Sequence, residues 1–352
     1  MQTVVLPVKC LGKAACYGCS MVIFMWGLFW GGLAHAAPGM TCTVTGTPSL
    51  NLGSVNVLGP PPAAVSAGFT YSCNVSGFAK KGYGQICFSV GTGSASSNYN
   101  PRQLQLTGDT TKKLNFDIYQ DTAGTLWGYR LTSASGDPVV VGFQAANNGK
   151  VTVTSTNTPI PALVSAAISG QNTASAGAYT SSFSAANAVL TWSTLPSSTL
   201  NPASCGTSSV GSFAFSVSAS VPNMCNVTTS DLNFGAVSSM AAGPITGSST
   251  LNVQCTNGTL YQVGLSNGIN GTGGTNRSMK NTSTATLVSY DLYQDAARSV
   301  RWGNNSAAGG DTLNGQSGTG IFTPVTVYGR AFPTAAVTAG NYADTVTVTL
   351  YY

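Results

Sequence analysis

No glutamate occurs anywhere in the 352 residues, there is one histidine, and charged residues of all kinds make up 7% of the chain. Each shortage closes a route. Without Glu and without a usable His, the common general acid and base partners of an enzyme are missing. The nine acids, all Asp, show no paired-carboxylate spacing, so the chain is not expected to be an enzyme. A formal net charge of +5 is too mild and too scattered to argue for nucleic acid as a partner. Long apolar runs are scarce as well. The one candidate, Met21–Trp30, is shorter than the ~20 residues a spanning helix needs. It follows Lys9 and Lys13 and precedes Ala34-His35-Ala36, small residues where a signal peptidase reads. Residues 1–36 are therefore expected to be a secretory signal, with a membrane anchor as the weaker reading.

Removing that segment takes away His35, Lys9, Lys13 and Cys10, Cys16 and Cys19. Twelve basic residues and nine acids remain, a net charge of +3, with six cysteines: Cys42, Cys73, Cys87, Cys205, Cys225 and Cys255. An even number in an exported chain implies three disulfides formed in an oxidising compartment. A metal site is the competing reading, but no mature His, no Glu and no CxxC pair is present to build one, and no cofactor is expected. What is abundant is Gly, Ser, Thr, Ala, Val and Asn, with 43% hydrophobic residues and recurrent alternation. Such a chain reads as all-β.

The chain repeats itself. LNFDIYQDTAGTLWG (114–128) matches VSYDLYQDAARSVRWG (288–303), AGAY (176–179) matches AGNY (339–342), and LNLGSVNV (50–57) matches LNFGAV (232–237). Cys42 and Cys73 are 31 residues apart, Cys225 and Cys255 30 apart. Two copies of one domain follow, 37–221 and 222–352, too long for a solenoid repeat. Predicted strands A to F of the first copy cover about 42–57, 67–75, 86–91, 113–120, 150–158 and 179–193. Those of the second cover about 224–237, 248–256, 260–266, 286–294, 320–331 and 342–352. Short antiparallel strands in this number imply two-sheet sandwiches.

The copies end differently. The second stops in YADTVTVTLYY (342–352), where Val346, Val348, Leu350 and Tyr352 alternate with threonines and tyrosine. The first runs on into FAFSVSASV (213–221), where Phe213, Phe215, Val217, Ala219 and Val221 form an alternating seventh strand, G. Copy two is thus expected to lack strand G. About five inward side chains at ~1.5–3 kcal/mol each leave a deficit on the order of 10 kcal/mol. That rivals the ~5–15 kcal/mol stability of a whole domain. A strand from another polypeptide is expected to fill the place, along an acceptor edge of Val346, Val348, Leu350 and Tyr352.

The cysteine spacing, the L-N-F-G turn, the (F/Y)-D-(I/L)-Y-Q-D…W-G block and the A-G-x-Y-x-D-T-V-T-V-T terminus resemble the spore coat protein U domain. This is the pilin module of archaic, Csu-type chaperone–usher pili. The resemblance spans nearly the whole mature chain, twice. Copy one departs from it in longer loops and in Cys87 and Cys205. It implies immunoglobulin-like sandwiches completed by donor strands, first from a periplasmic pilus chaperone and then, at the outer-membrane usher, from the adjacent pilin. Only Ala37–Thr41 precede Cys42, too few residues for a donor segment, which points to the tip of the fibre at the cell surface. A two-domain tip adhesin has this layout.

Following the strands, the pole of copy one far from copy two carries the start of A and the B–C, D–E and F–G loops. Cys42–Cys73 and Cys87–Cys205 pair there, with Cys225–Cys255 as the counterpart in copy two. The apolar loop residues expected to meet a surface are Phe78, Tyr83, Leu126, Tyr129, Val139, Val140, Val141, Leu195 and Leu200. The surface would be abiotic or host, with biofilm formation as the outcome. Trp127, matched by Trp302, reads instead as core, and Val139 and Val141 can alternatively form an edge strand. Pro159–Val164 becomes the candidate loop if the strand count is off by one. Tyr83, Tyr99 and Tyr129 keep a glycan-binding lectin tip open. A secreted spore-coat or matrix protein is the third reading.

Overall fold

The computed structural model describes residues 38–46, 49–60, 63–78, 80–121, 123–129, 136–146, 150–154, 162–165 (backbone), 170–237, 243–271, 276–334 and 337–352. Residues 1–36, including the expected signal, lie outside this set. The fold is all-β, in two immunoglobulin-like sandwiches.

Copy one comprises β1 (Gly39–Thr45), β2 (Ser49–Ser54), β3 (Val65–Ala67), β4 (Thr70–Ser76), β5 (Gly82–Val90), β6 (Arg102–Leu106) and β7 (Asp109–Tyr119). It continues with β8 (Val139–Ala145), β9 (Val151–Thr154), β10 (Ala162–Ser165), β11 (Gly177–Phe183), β12 (Ala188–Leu195), β13 (Ser209–Ser212) and β14 (Phe215–Val221). One face is a seven-stranded sheet in the order β2-β14-β11-β6-β7-β10-β3. The other is built from β13-β12-β5-β8 and β1-β4-β9. These two ladders abut where Gly211 of β13 lies against Cys42, a place with no room for a side chain: a Cβ there would sit 3.0 Å from the Cys42 carbonyl oxygen. Leu50, Ile86, Phe88, Leu114, Phe116, Tyr179 and Val217 fill the space between the faces.

Copy two comprises β15 (Cys225–Thr229), β16 (Ile245–Cys255), β17 (Leu260–Leu265), β18 (Arg277–Asn281), β19 (Leu287–Tyr293), β20 (Leu313–Ser317), β21 (Thr323–Phe332), β22 (Tyr342–Ala343) and β23 (Val348–Tyr351). Its sheets are β15-β16-β21-β19-β18-β22 and β20-β17-β23. A separate core holds Leu251, Val253, Tyr261, Val263, Tyr290, Leu292 and Trp302.

Several strand expectations change. Strand A of copy one is broken into β1 and β2 because its halves join different sheets, β1 beside β4 and β2 beside β14. Strand F breaks for the same reason. β11 pairs with β6 and β14, then the chain crosses at 184–187 and β12 pairs with β5 and β13. In copy two β22 pairs with β18 and β23 with β17, a shorter version of the same crossing. Strands β6, β10, β13, β18 and β20 are additions, mostly short or Gln-, Ser- and Asn-bearing segments with weak alternation, while β8 is the edge strand allowed as the alternative for Val139 and Val141. The predicted strand over 232–237 does not form: strand A of copy two ends at Thr229. The physical reason lies in copy one, where the matching β2 is held by parallel pairing with β14. Among the described residues, copy two has no counterpart of β14.

The two sandwiches meet through polar contacts, two donated by asparagine side chains and one by the main chain. The Asn172 amide donates to the Gly320 carbonyl (3.0 Å), the Asn257 amide donates to the Thr173 carbonyl (2.8 Å), and the Ala176 N–H donates to the Asn257 carbonyl (3.2 Å).

Candidate functional site

Each sandwich is pinned by a feature that sequence reasoning passed over. Arg102 and Arg277, matched between the copies, are fully buried. Arg102 Nε donates to the Gly91 carbonyl (2.8 Å), and Nη2 to those of Val90 (3.0 Å) and Trp127 (2.6 Å). Arg277 does the same to Ser266 (2.9 Å), Leu265 (2.8 Å) and Trp302 (2.7 Å), and its Nη1 also reaches Asp291 (2.6 Å). Trp127 and Trp302 in turn donate from their indoles to Phe88 and Val263, at 2.7 Å in each case. Burial holds both arginines below their ordinary range, Arg102 at about 10. A guanidinium satisfies several carbonyls at once, which is how a strand end that switches ladder stays paired. The signal was present as PRQLQL against NRSMKN at 101–106 and 276–281.

The distal end of copy one is where Leu195 lies opposite Tyr83, and Tyr83 opposite Gln144. Val221, from which the chain passes to copy two, lies opposite Gly177 at the other end of the same sandwich. The segment between β12 and β13 folds back over the distal sheet and is fastened twice. One fastening is the disulfide Cys87–Cys205. The other is Gln85, fully buried, which accepts from the Asn201 N–H (2.8 Å) while donating to its carbonyl (2.5 Å). Leu200 reaches over Gly142 of β8, where a Cβ would stand 2.8 Å from its Cδ2. Disulfides Cys42–Cys73 and Cys225–Cys255 each join directly opposed residues of neighbouring strands.

The residues expected to meet a surface separate here. Leu200 is 41% exposed and stands on the rim. Phe78 and Leu195 are corrections: both are buried. Phe78 packs edge-on against Phe143 (6.3 Å) and Trp192 (6.4 Å), because the B–C connection turns inward over the sheet. Val139, Val140 and Val141 are not a loop; they open strand β8, which pairs with β5, and are half-buried at the sheet edge. Tyr83 begins within β5, also half-buried. Leu126 is half-buried and bridges to Tyr119, and Tyr129 lies 6.4 Å from Tyr99. Trp127 is core. Of the Pro159–Val164 segment, 159–161 lie outside the described residues and Ala162–Ser165 is strand β10 between β3 and β7. The most exposed large apolar residues are in copy two, Leu260 and Ile269, both at 74%, and sequence reading did not single them out.

The two copies differ in how far their matching side chains are buried. In copy one Leu50, Leu52, Tyr179, Phe183 and Leu190 are buried, on strands that pair with β14 or β13. Their counterparts Leu232, Phe234, Tyr342, Val346 and Leu350 are only half-buried. Val348 is half-buried and Tyr352 is 59% exposed. The walls are otherwise alike. Asn51 and Asn233 each accept from the glycine N–H two residues on, at 2.8 and 2.7 Å. Those glycines, Gly53 and Gly235, have φ of 68° and 78°. Tyr179 and Tyr342 each donate to the carbonyl four residues back, at 2.8 and 2.6 Å. The walls of copy two are therefore formed while the strand that covers them in copy one has no equivalent among the described residues.

A family model for the Spore Coat Protein U domain matches residues 33–186 and 212–349. Protein U of Myxococcus xanthus is 34% identical over 131 residues, 34% of this chain and 71% of that protein. A crystal structure of the CsuC–CsuE chaperone–tip adhesion subunit pre-assembly complex, from archaic chaperone–usher Csu pili of Acinetobacter baumannii, aligns with a TM-score of 0.50 at 19% identity. It covers 89% of this chain and 100% of that one. CfaE, the adhesive subunit of CFA/I fimbria of enterotoxigenic Escherichia coli, aligns over 88% of this chain and 93% of its own, at 8% identity and a TM-score of 0.33. The Csu likeness extends the shared fold across both sandwiches, and the sequence match falls on each copy in turn. The chain belongs to the Spore Coat Protein U domain family.

Proposed function

We propose that this protein is the tip adhesin of an archaic chaperone–usher pilus, with attachment at the distal end of copy one and assembly through the groove of copy two. The observation that carries this is β14. It completes copy one from within, antiparallel to β11 and parallel to β2, while copy two holds the same walls half-exposed. A periplasmic chaperone fills the groove first, and the adjacent pilin replaces it at the outer-membrane usher by strand addition. Family membership supports this, as does the shared fold with a tip subunit captured beside its chaperone. In this reading residues 1–36 direct export to the periplasm, the domains divide at 221/222, and the protein ends at the pilus tip on the cell surface without catalytic activity.

The attachment face is centred on Leu200 and the β8 edge at Val139–Val141, a rim of apolar side chains on a doubly fastened loop. Prior fastening lowers the ordering cost of contact. It suits abiotic or apolar host surfaces, and biofilm formation follows. The Tyr99–Tyr129 pair keeps a glycan reading testable, since aromatic faces suit sugar rings. Leu200→Asp combined with Val140→Asp should cut attachment to plain plastic several-fold while pilus display is unchanged. Unchanged attachment at normal display would overturn this face. Binding to a glycan array that is lost in Tyr129→Ala would favour the lectin reading. Co-purification with a pilus chaperone tests the assembly half, and a stable monomer that never binds one would sink it.

A further inference from the structure

The chain carries a strand, 213–221, with the alternation the proposed groove of copy two calls for, and the residue facing that strand is not the same in the two copies. At one inward place on strand F a neutral side chain of copy one is replaced by a charged one in copy two. Copy one has Ser181, buried, directly opposite Val217 of β14. Copy two has Asp344 at the matching position, half-buried and facing inward between Tyr342 and Val346. A second change accompanies it: Phe116 of copy one is Tyr290 in copy two. The carboxylate is built in. Asp344 Oδ1 accepts from the N–H groups of Ile269 and Asn270, both at 3.1 Å, and from the Asn270 amide at 3.0 Å. Its Oδ2 accepts from the Tyr290 hydroxyl at 2.7 Å. Gly268, with φ of 78°, gives the carboxylate its room.

We infer that Asp344 selects the strand that completes copy two, admitting one that brings a hydrogen-bond donor to the place facing it and disfavouring the chain's own pattern, which brings Val217. This rests on the reading of copy two as a strand acceptor. Oδ1 takes three donors and Oδ2 takes the Tyr290 hydroxyl, while Asp344 stays half-buried at the place that in copy one lies beside Val217. A carboxylate oxygen takes two donors, and a covering valine would strip water from the second position without replacing it. A buried acceptor left short of a partner, charged above all, is penalised by about tenfold or more in affinity. A serine or threonine at the same place supplies the missing donor and keeps the flanking apolar residues in step. The partner is thus a β-strand of another polypeptide, antiparallel to β22 and the residues that follow it, with apolar residues flanking a Ser or Thr that faces Asp344.

The test uses the full chain and two synthetic peptides, FAFSVSASV and its Val217→Thr version FAFSTSASV, with binding read by fluorescence anisotropy. The unaltered chain should prefer the threonine peptide by about tenfold. Asp344→Ser should erase or reverse that preference. So should Asp344→Ser with Tyr290→Phe, which installs the pair that already folds in copy one and guards against a folding failure of the single variant. An unchanged preference in both variants overturns the inference while leaving the groove intact. Failure of either peptide to bind any of the three proteins overturns the strand-acceptor reading and the inference with it.

Discussion

At the residue scale, the buried arginines tie strand ends to the W-G segment of each copy. Arg277 meets three carbonyls and Asp291, and Asp291 is also held by Arg301 at 2.9 Å. Arg102 serves three carbonyls, but its Nη1 has no hydrogen-bond partner and it forms no ion pair with Asp117 among the described residues. Arg277→Met removes an ion pair together with the carbonyl contacts, leaving Asp291 to Arg301 alone, whereas Arg102→Met removes carbonyl contacts only. It should cost about 3–5 kcal/mol, with Arg102→Met costing less, measured by urea unfolding of each variant. The aspartates of the Y-Q-D blocks act locally. Asp121 caps the N–H groups of Ala123 and Thr125, and Asp295 those of Ser299 and Val300. The hydrogen bond from Thr125 holds Asp121 below the usual carboxylate range, and that from the Val300 N–H does so for Asp295. A depressed folded pKa means the unfolded chain takes up protons first on acidification. The stabilisation is therefore fully present above the ordinary carboxylate pKa and is lost as pH falls through the folded value. Asp295→Asn should flatten the acid limb of thermal stability relative to the unaltered chain, while an unchanged limb would place that loss elsewhere.

At the element scale, the β12–β13 connection is a loop with the fastening of a strand. Cys87 and Cys205 are 118 residues apart, so their bond closes a long loop. Such closure is worth about 2–4 kcal/mol. Cys87→Ser with Cys205→Ser should lower the stability of copy one by that order. It should also open residues 196–208 to limited proteolysis, leaving copy two unaffected. Gln85→Ala removes the second fastening and strands the Asn201 N–H. A cost of about 1–3 kcal/mol is expected, with the same segment becoming the first cleavage site. The β8 edge is the neighbouring element. Three valines in a row carried no alternation to separate strand from loop, and the pairing partner β5 decided the matter.

At the scale of the whole molecule, β14 of copy one has no counterpart in copy two among the described residues. β14 buries Phe215, Val217, Ala219 and Val221 in copy one. A strand with the same alternation, joined behind Tyr352 by a short flexible turn, should occupy the groove from within. Copy two would then gain up to on the order of 10 kcal/mol, seen as a higher melting transition, and the chain would no longer need a chaperone to accumulate. No change in melting on fusion of either a Val-bearing or a Thr-bearing strand would mean the groove is not an acceptor.

The all-β class, the tandem repeat, the cysteine pairs and the seventh strand of copy one were legible because alternation and spacing are local properties of the chain. FAFSVSASV reads as a strand without any partner in view. Which apolar residues stay outside was not legible. Phe78 and Leu195 look like rim residues in one dimension and are buried in three, because loop direction depends on what the sheet beneath offers. Residues 232–237 have the pattern of β2 and form no strand, since a ladder needs a neighbour that composition cannot supply. Arg102, Gln85 and Asp344 are polar residues whose roles come from carbonyls, amides and hydroxyls brought to them by distant segments. The chain by itself determined its strands and their repetition; burial and fastening were decided only where strands met, because hydrogen-bond satisfaction and solvent exclusion are properties of pairs.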